Sequence, residues 1–374
     1  MNKLSSLLGG VFVLALTMSH GIHQEIWGQQ LEWTFVDEAR SSRDIPVFFK
    51  FDPDQTGPFP LVVLGHGFLM GPEDYDDMSG YLTEAGFAVA LLGTETGLTP
   101  SHGDFGLDMA FVANHASAEV GGALEGLISN ATALVGHSMG GGASWLGAAE
   151  MGASLGAVIG WAPAETSPSA IAAAGNVTAP ALVISGTGDA ITPPLSSHIP
   201  VYESLPGTTC RGFASLENGS HCGYSDSGTL CDFGELGFSG MSREAQQAHT
   251  AALTVGWLQH HLTGDPSAWI ALQSYGEEED DVTLTLDCTP SLIATVSHAP
   301  TASCHPNPVQ STLHLELPWL PESACIRSAS GRTFATWSPT DGPTIDVSTW
   351  PAGLYFLHLV SLQRQQVLRF VKVH

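Results

Sequence analysis

Ala131-Thr132-Ala133-Leu134-Val135-Gly136-His137-Ser138-Met139-Gly140-Gly141-Gly142 reads as a buried strand running into a sharp turn and then a helix. Gly136, Ser138 and Gly140 form a G-x-S-x-G pattern. A strand before such a pattern and a helix after it let glycines make a tight turn that exposes the serine hydroxyl. The helix starting near Met139 points its positive end at that hydroxyl. Ser138 is therefore the candidate nucleophile, and the fold must be one that places a strand–turn–helix at the edge of a sheet.

The flanking sequence supplies such a sheet. Pro60-Leu61-Val62-Val63-Leu64 is a continuous apolar run, as expected for a strand covered on both faces. Phe87 to Leu92, Leu155 to Trp161, Ala181 to Ser185 and Arg211 to Leu216 repeat the style. Helical stretches are predicted between them at Glu73 to Glu84, Phe105 to Ala116, Met139 to Glu150 and Leu195 to Leu205, with a closing helix at Gln246 to Leu262. Leu31 to Val36 and Ile45 to Phe49 read as a hairpin at a sheet edge. The alternation implies an α/β class with a doubly wound, mostly parallel sheet.

A serine hydroxyl needs a base to remove its proton, and the base needs an orienting acid. With the order serine, acid, histidine along the chain, the acid is Asp189, which follows the strand Ala181 to Gly188. The base is His221, on the loop after Leu216. Sixteen histidines make the residue type alone uninformative. His249, His260 and His261 fall on the closing helix as packing or surface residues. His137 points away if Ser138 points at substrate, and His66 suits a structural hydrogen bond. Two backbone N–H groups must receive the developing oxyanion, one after the nucleophile and one after an early strand. Met139 and Phe68 are expected to supply them. No metal or organic cofactor is needed.

Composition bounds the partners. The chain has 374 residues, with 11 Lys+Arg against 37 Asp+Glu and a net charge of −26. Such a surface repels nucleic acid and anionic lipid. From Cys304 onward, however, Arg327, Arg332, Arg364, Arg369 and Lys372 balance Glu316, Glu322, Asp341 and Asp346. Two units with different surfaces follow. Lys3 and the apolar stretch from Leu4 to Met18 read as an export signal, with cleavage after Ser19, Gly21 or Gly28. No later segment is apolar for the ~18 residues that a membrane span requires. Export permits disulfides. Of the six cysteines, Cys210, Cys222 and Cys231 cluster around His221, and Cys222–Cys231 is the first expected pair. The run Gly276 to Asp281 is expected to be a solvated loop rather than a calcium site.

The expected organisation is a signal peptide over 1–28, a catalytic domain over 29–270, a linker over 271–303 and a small all-β sandwich over 304–374.

Together these residues resemble the α/β-hydrolase superfamily over roughly 34–265, nearest to the bacterial cutinase and polyester hydrolase group and its dienelactone-hydrolase-like relatives. The elbow Gly136 to Gly142, Asp189-Ala190-Ile191-Thr192-Pro193, Gly219-Ser220-His221 and Gly67-Phe68 carry the resemblance. It implies an α/β-hydrolase fold and a Ser138–His221–Asp189 triad, with Phe68 lining the acyl side of the cleft. Polyester hydrolases of this group carry a Pro-Trp pair after the strand that here ends in Trp161-Ala162-Pro163-Ala164. Ala164 stands at the tryptophan position and Trp161 lies nearby, so both are candidate substrate-binding residues. With that wall open, short-chain aliphatic esters or lipids are expected ahead of aromatic polyesters. A polyester hydrolase, a peptidase or amidase, and a non-catalytic adhesin are the alternatives.

The tail resembles the C-terminal sorting domains of the Bacteroidota type IX secretion system. The matching features are Pro306-Asn307-Pro308, Ser330-Gly331-Arg332, Leu354-Tyr355 and the basic end from Val367 to His374. That resemblance implies secretion machinery as a partner, and a secreted or cell-surface location after passage through the periplasm. A carbohydrate-binding or adhesive β-module is the other reading of the tail.

Overall fold

The computed structural model describes residues 29–119, 122–288 and 302–373, apart from 318–320, 322, 329–332, 339–341 and 362–363. The expected signal over 1–28, the linker stretch 289–301, Ser330-Gly331-Arg332 and His374 lie outside the described residues.

The main unit is a nine-stranded sheet. Its first strands are β1 (Gln29–Asp37), β2 (Arg43–Phe51), β3 (Phe59–Gly65), β4 (Ala88–Leu92) and β5 (Ile128–His137). Then come β6 (Ala157–Trp161), β7 (Ala181–Gly186), β8 (Arg211–Leu216) and β9 (Val282–Asp287). The order across the sheet is β1-β2-β4-β3-β5-β6-β7-β8-β9. Strands β4, β3, β5, β6, β7 and β8 run parallel to one another, while β1–β2, β2–β4 and β8–β9 pair antiparallel. The hairpin expected at the edge is β1–β2.

Successive side chains of a strand face opposite sides, and the core divides accordingly. Leu61 and Val63 of β3 belong to one apolar cluster, and Val62 and Leu64 to the other. The first is covered by α2 (His102–His115) and α3 (Met139–Met151), with α4 (Ala170–Ala174) and α5 (His198–Ser204) further along. The second is covered by α1 (Asp76–Glu84), α6 (Arg243–Thr263) and α7 (Pro266–Glu278). The short α4 has no counterpart in the sequence reading. Helix α5 starts three residues later than expected, since Pro193 and Pro194 hold the chain in a turn up to Ser197.

The sequence-derived boundary at 270 needs correction. Gly276, Glu277 and Glu278 of the acidic run close α7, and the chain then turns directly into β9. Strand β9 completes the sheet beside β8, with Val282, Leu284 and Leu286 among the second core cluster. A Cys210–Cys288 disulfide ties its end to the start of β8. The α/β unit thus runs to Cys288. The Cys222–Cys231 pair is also formed, and the thiols of Cys304 and Cys325 are free.

Beyond residue 302 the chain forms two small antiparallel sheets. One holds β10 (Ser303–His305), β11 (Thr312–Glu316) and β14 (Thr344–Asp346). The other holds β12 (Ser323–Ser328), β13 (Thr333–Trp337), β15 (Gly353–Ser361) and β16 (Arg364–Lys372). Leu313, Ile326, Leu357 and Phe370 share one core between them. Among the described residues, no helix is long and apolar enough to cross a membrane.

The corrected boundary predicts different outcomes for two truncations. A chain ending at residue 301 is expected to keep the thermal unfolding midpoint of the α/β unit. A chain ending at 270 loses β9, part of α7 and the Cys210–Cys288 link. A disulfide contributes about 2–4 kcal/mol, and each kcal/mol moves the midpoint of a unit this size by about 2–4 °C. A drop of at least about 5 °C in calorimetry is therefore expected for the shorter chain alone.

Candidate active site

The chain leaves β3 toward β4 on one side of the sheet and returns to β5 on the other. Such a switch point opens a crevice at the carboxyl ends of the strands. The end of β3 delivers His66-Gly67-Phe68, and the end of β5 delivers Ser138.

Ser138 has φ 54° and ψ −116°, a conformation that L-residues avoid. The surrounding backbone leaves no alternative. A Cβ on Gly136 would lie 2.2 Å from the Gly140 carbonyl oxygen, and one on Gly140 would lie 2.1 Å from that of Gly65. Backbone bonds then fix the turn, from Ser138 N–H to the Trp161 carbonyl (3.0 Å) and from Ala164 N–H to the Ser138 carbonyl (2.9 Å).

Ser138 Oγ lies 2.9 Å from His221 Nε2, and His221 Nδ1 lies 2.7 Å from Asp189 Oδ2. The three sequence-derived candidates thus meet in one line. Burial alone raises the Asp189 pKa, but hydrogen bonding and charge from His221 outweigh it, and the net shift is downward. Asp189 Oδ1 accepts from the Ile191 and Thr192 N–H groups, each at 2.8 Å.

Two further arrangements were not legible in the sequence. The Thr192 hydroxyl lies 2.9 Å from Asp189 Oδ2, 2.9 Å from His221 Nδ1 and 3.0 Å from His198 Nε2. Ser185 Oγ lies 2.8 Å from the other His198 nitrogen. Burial lowers the His198 pKa to about 4, so this imidazole is neutral near pH 7. The carboxylate is the strongest acceptor nearby, so the Thr192 hydroxyl donates to Asp189 and accepts from His198 Nε2–H. Ser185 then donates to His198 Nδ1.

The second arrangement centres on His137. Gly67 N–H donates to the Tyr75 hydroxyl (2.8 Å), and that hydroxyl lies 2.8 Å from His137 Nδ1. His137 Nε2 lies 2.8 Å from the His221 carbonyl oxygen and donates to it. Burial brings the His137 pKa down to about 3. One neutral imidazole therefore links the loop after β3, the nucleophile turn and the base loop. His66 is buried, with its ring nitrogens 2.8 Å from the Gly67 and Thr94 carbonyls.

Met139 is the first residue of α3, and Phe68 sits in the facing loop with its side chain half exposed. Among the described residues neither backbone N–H has a hydrogen-bond partner, whereas Gly67 and Gly140 donate to Tyr75 and His66. Both groups are free to bind an oxyanion.

A cleft of about 200 Å³ opens over Ser138 and His221. Phe68, Leu69, Met70, Ile191, Leu230 and Gly234 line it. Trp161 and Ala164, expected to line it, do not. Trp161 is fully buried in β6, and its indole N–H donates to Thr254 Oγ1 of α6 at 3.1 Å. Ala164 meets the site through its backbone alone, at the Ser138 carbonyl. Both residues support the turn from behind, because their strand end packs against the start of α3.

A family model described as PET hydrolase-like matches residues 49–249, more than half of the chain. A bis(hydroxyethyl) terephthalate hydrolase of Streptomyces coelicolor is 32% identical over 174 residues, covering 46% of this chain and 54% of that protein. The chain thus spans about half the length of this curated relative. The match covers the elbow, the Asp189 turn and the His221 loop, and the chain belongs to the PET hydrolase-like family of ester-bond hydrolases.

Proposed function

We propose that the chain hydrolyses uncharged carboxylic esters through an acyl-enzyme on Ser138. The observation that carries this reading is the continuous Ser138–His221–Asp189 hydrogen-bond line at a cleft floor. Ser138 Oγ attacks the ester carbonyl while His221 Nε2 takes its proton. The negative charge on the carbonyl oxygen is received by the Phe68 and Met139 N–H groups. His221 returns the proton to the leaving alcohol, and the acyl group stays on Ser138. Water then attacks the acyl carbonyl by the same route, releasing the acid and restoring the serine. Asp189 holds the His221 tautomer with Nε2 unprotonated and balances the imidazolium. The acidic surface disfavours anionic substrates and favours departure of the carboxylate product.

Short-chain aliphatic esters are the first substrates under this reading. The terephthalate ester named for the Streptomyces relative supports aromatic diesters, and polyesters built from them, as a second class. The tail from residue 304 serves as a secretion address, and the enzyme acts outside the cell. The two disulfides of the α/β unit support that location.

Ser138→Ala removes only the attacking oxygen. It is expected to lower kcat on p-nitrophenyl butyrate by at least about a thousandfold with unchanged thermal unfolding. Turnover near the wild-type rate would remove Ser138 from the mechanism. Comparing that ester with the matching anilide separates an esterase, which spares the anilide, from an amidase.

Thr192 offers a subtler test. A hydrogen bond to a charged group is worth about 1.5–3 kcal/mol, so Thr192→Val is expected to lower kcat by about tenfold to a hundredfold. Thr192→Ser keeps the hydroxyl and should restore most of the rate. Equal losses in both variants would point to packing of the methyl group instead.

A further inference from the structure

Residues 67–77 lie between β3 and the body of α1 and carry Phe68, one of the two proposed oxyanion donors. Leu69 has φ 58°, a region that residues other than glycine rarely adopt. Contacts from outside the segment hold such a conformation in place. The Asp226 carboxylate, on the loop after His221, accepts from the Asp76 and Asp77 N–H groups at the start of α1, at 2.7 and 3.1 Å. Asp226 N–H donates to the Asp74 carbonyl at 2.8 Å. The backbone on both sides of Tyr75 is thereby fixed.

The Tyr75 side chain turns inward from this anchored backbone. It is fully buried, and burial raises its pKa, so the hydroxyl keeps its proton. The direction of each hydrogen bond around it follows from one acceptor. The His221 carbonyl can only accept, so the His137 proton sits on Nε2. His137 is neutral near pH 7, which leaves a lone pair on Nδ1. Tyr75 O–H donates to that lone pair, in preference to the weakly accepting Met70 Sδ at 3.5 Å. The Tyr75 oxygen in turn accepts from Gly67 N–H.

Gly67 is held at both of its polar groups. Its N–H is on Tyr75, while its carbonyl accepts from Met70 N–H at 3.2 Å and lies 2.8 Å from His66 Nδ1. The Gly67 carbonyl and the Phe68 N–H belong to one planar trans peptide and point opposite ways. With the carbonyl turned toward His66, the Phe68 N–H points away from it, and it has no partner among the described residues. The fit is tight, since a Cβ on Gly67 would lie 2.7 Å from Met70 Sδ and 3.4 Å from the Tyr75 oxygen.

We propose that Tyr75 is a positioning residue of the oxyanion site: its hydroxyl, aimed by His137, fixes the peptide whose Phe68 N–H receives negative charge in the transition state. The proposal rests on the ester-hydrolase reading above and adds to it the group that sets one donor. Tyr75 lines no part of the cleft, so it acts through Gly67 and not on the substrate. A donor held in place matters most when charge develops on the carbonyl oxygen. Loss of the hydroxyl therefore lowers kcat and leaves ground-state binding nearly unchanged.

The test is Tyr75→Phe in the full chain, which removes the oxygen and keeps the ring. Each variant is assayed below its own thermal unfolding midpoint. On p-nitrophenyl butyrate, kcat is expected to fall about tenfold to a hundredfold with KM within about twofold, as for a donor displaced rather than deleted. Butylboronic acid supplies the second reading. Ser138 Oγ adds to the boron as its proton passes to His221, and the anionic adduct sets a boron-bound oxygen where the oxyanion would lie. Its inhibition constant is expected to rise by about the factor by which kcat/KM falls. His137→Leu, a second variant, leaves the Tyr75 hydroxyl without its acceptor and is expected to raise that constant at least about threefold. A constant within about twofold of wild type in each variant that folds would overturn the positioning role while leaving the ester-hydrolase reading intact. So would a rise in KM that accounts for the whole loss. A wild type that neither cleaves the ester nor binds the boronic acid would overturn that reading, and the positioning role with it.

Discussion

The architecture of this site depends on three backbones meeting without side chains. Gly65 ends β3, Gly136 lies near the end of β5 and Gly140 lies in the first turn of α3, and their mutual approach leaves no room for a Cβ at Gly136 or Gly140. That contact forces the chain between them into a reversal so abrupt that Ser138 adopts a positive φ. Strain of this kind costs on the order of 1–3 kcal/mol and persists only where the surroundings over-determine it. The parallel core strands, buried on both faces, supply the rigidity. The same reversal leaves the Met139 N–H unpaired at the start of a helix, where negative charge is favoured. The proposed nucleophile and the proposed oxyanion donor are therefore products of one constraint.

Two neutral imidazoles extend that constraint to the rest of the site. His137 lies inside the elbow and connects Tyr75, Gly67 and His221. His198 lies beneath Asp189 and connects Ser185 to Thr192. Burial removes the charge from both. A neutral imidazole donates at one nitrogen and accepts at the other, so each passes a fixed hydrogen-bond direction from one loop to the next. Asp189 consequently collects donors on both oxygens, and His221 is held at its backbone as well as at its ring. Such preorganisation is what electrostatic stabilisation of a transition state requires.

Much of this was legible in the sequence where the signal is local. The elbow is a run of consecutive residues, and the parallel strands are unbroken apolar runs because both faces are covered. Asp189 and His221 could be read from their places after strands β7 and β8. Contacts between distant segments were not legible. Nothing near Tyr75 or Ser185 announces a histidine partner 62 or 13 residues away. Trp161 is a candidate cleft residue in the sequence because it lies three residues before the Ala164 position, with packing in the core as the other reading; strand alternation turns its ring into the helix-covered core. Strand β9 falls in the stretch expected to be a linker with some strand character, because it is a short edge strand behind an acidic run. The segment between His221 and α6 has no periodicity at all, and only the spacing of Cys222 and Cys231 marked it.

In the proposed mechanism, chemistry passes through a covalent bond to Ser138. That bond is tested most directly by acid-quenching the full-length protein in the first turnover of a p-nitrophenyl ester and weighing it. The expected species is heavier by the acyl group, with the added mass mapped by peptide fragmentation to Ser138 and absent once the ester is consumed. Rapid turnover with the acyl group on another residue would contradict it.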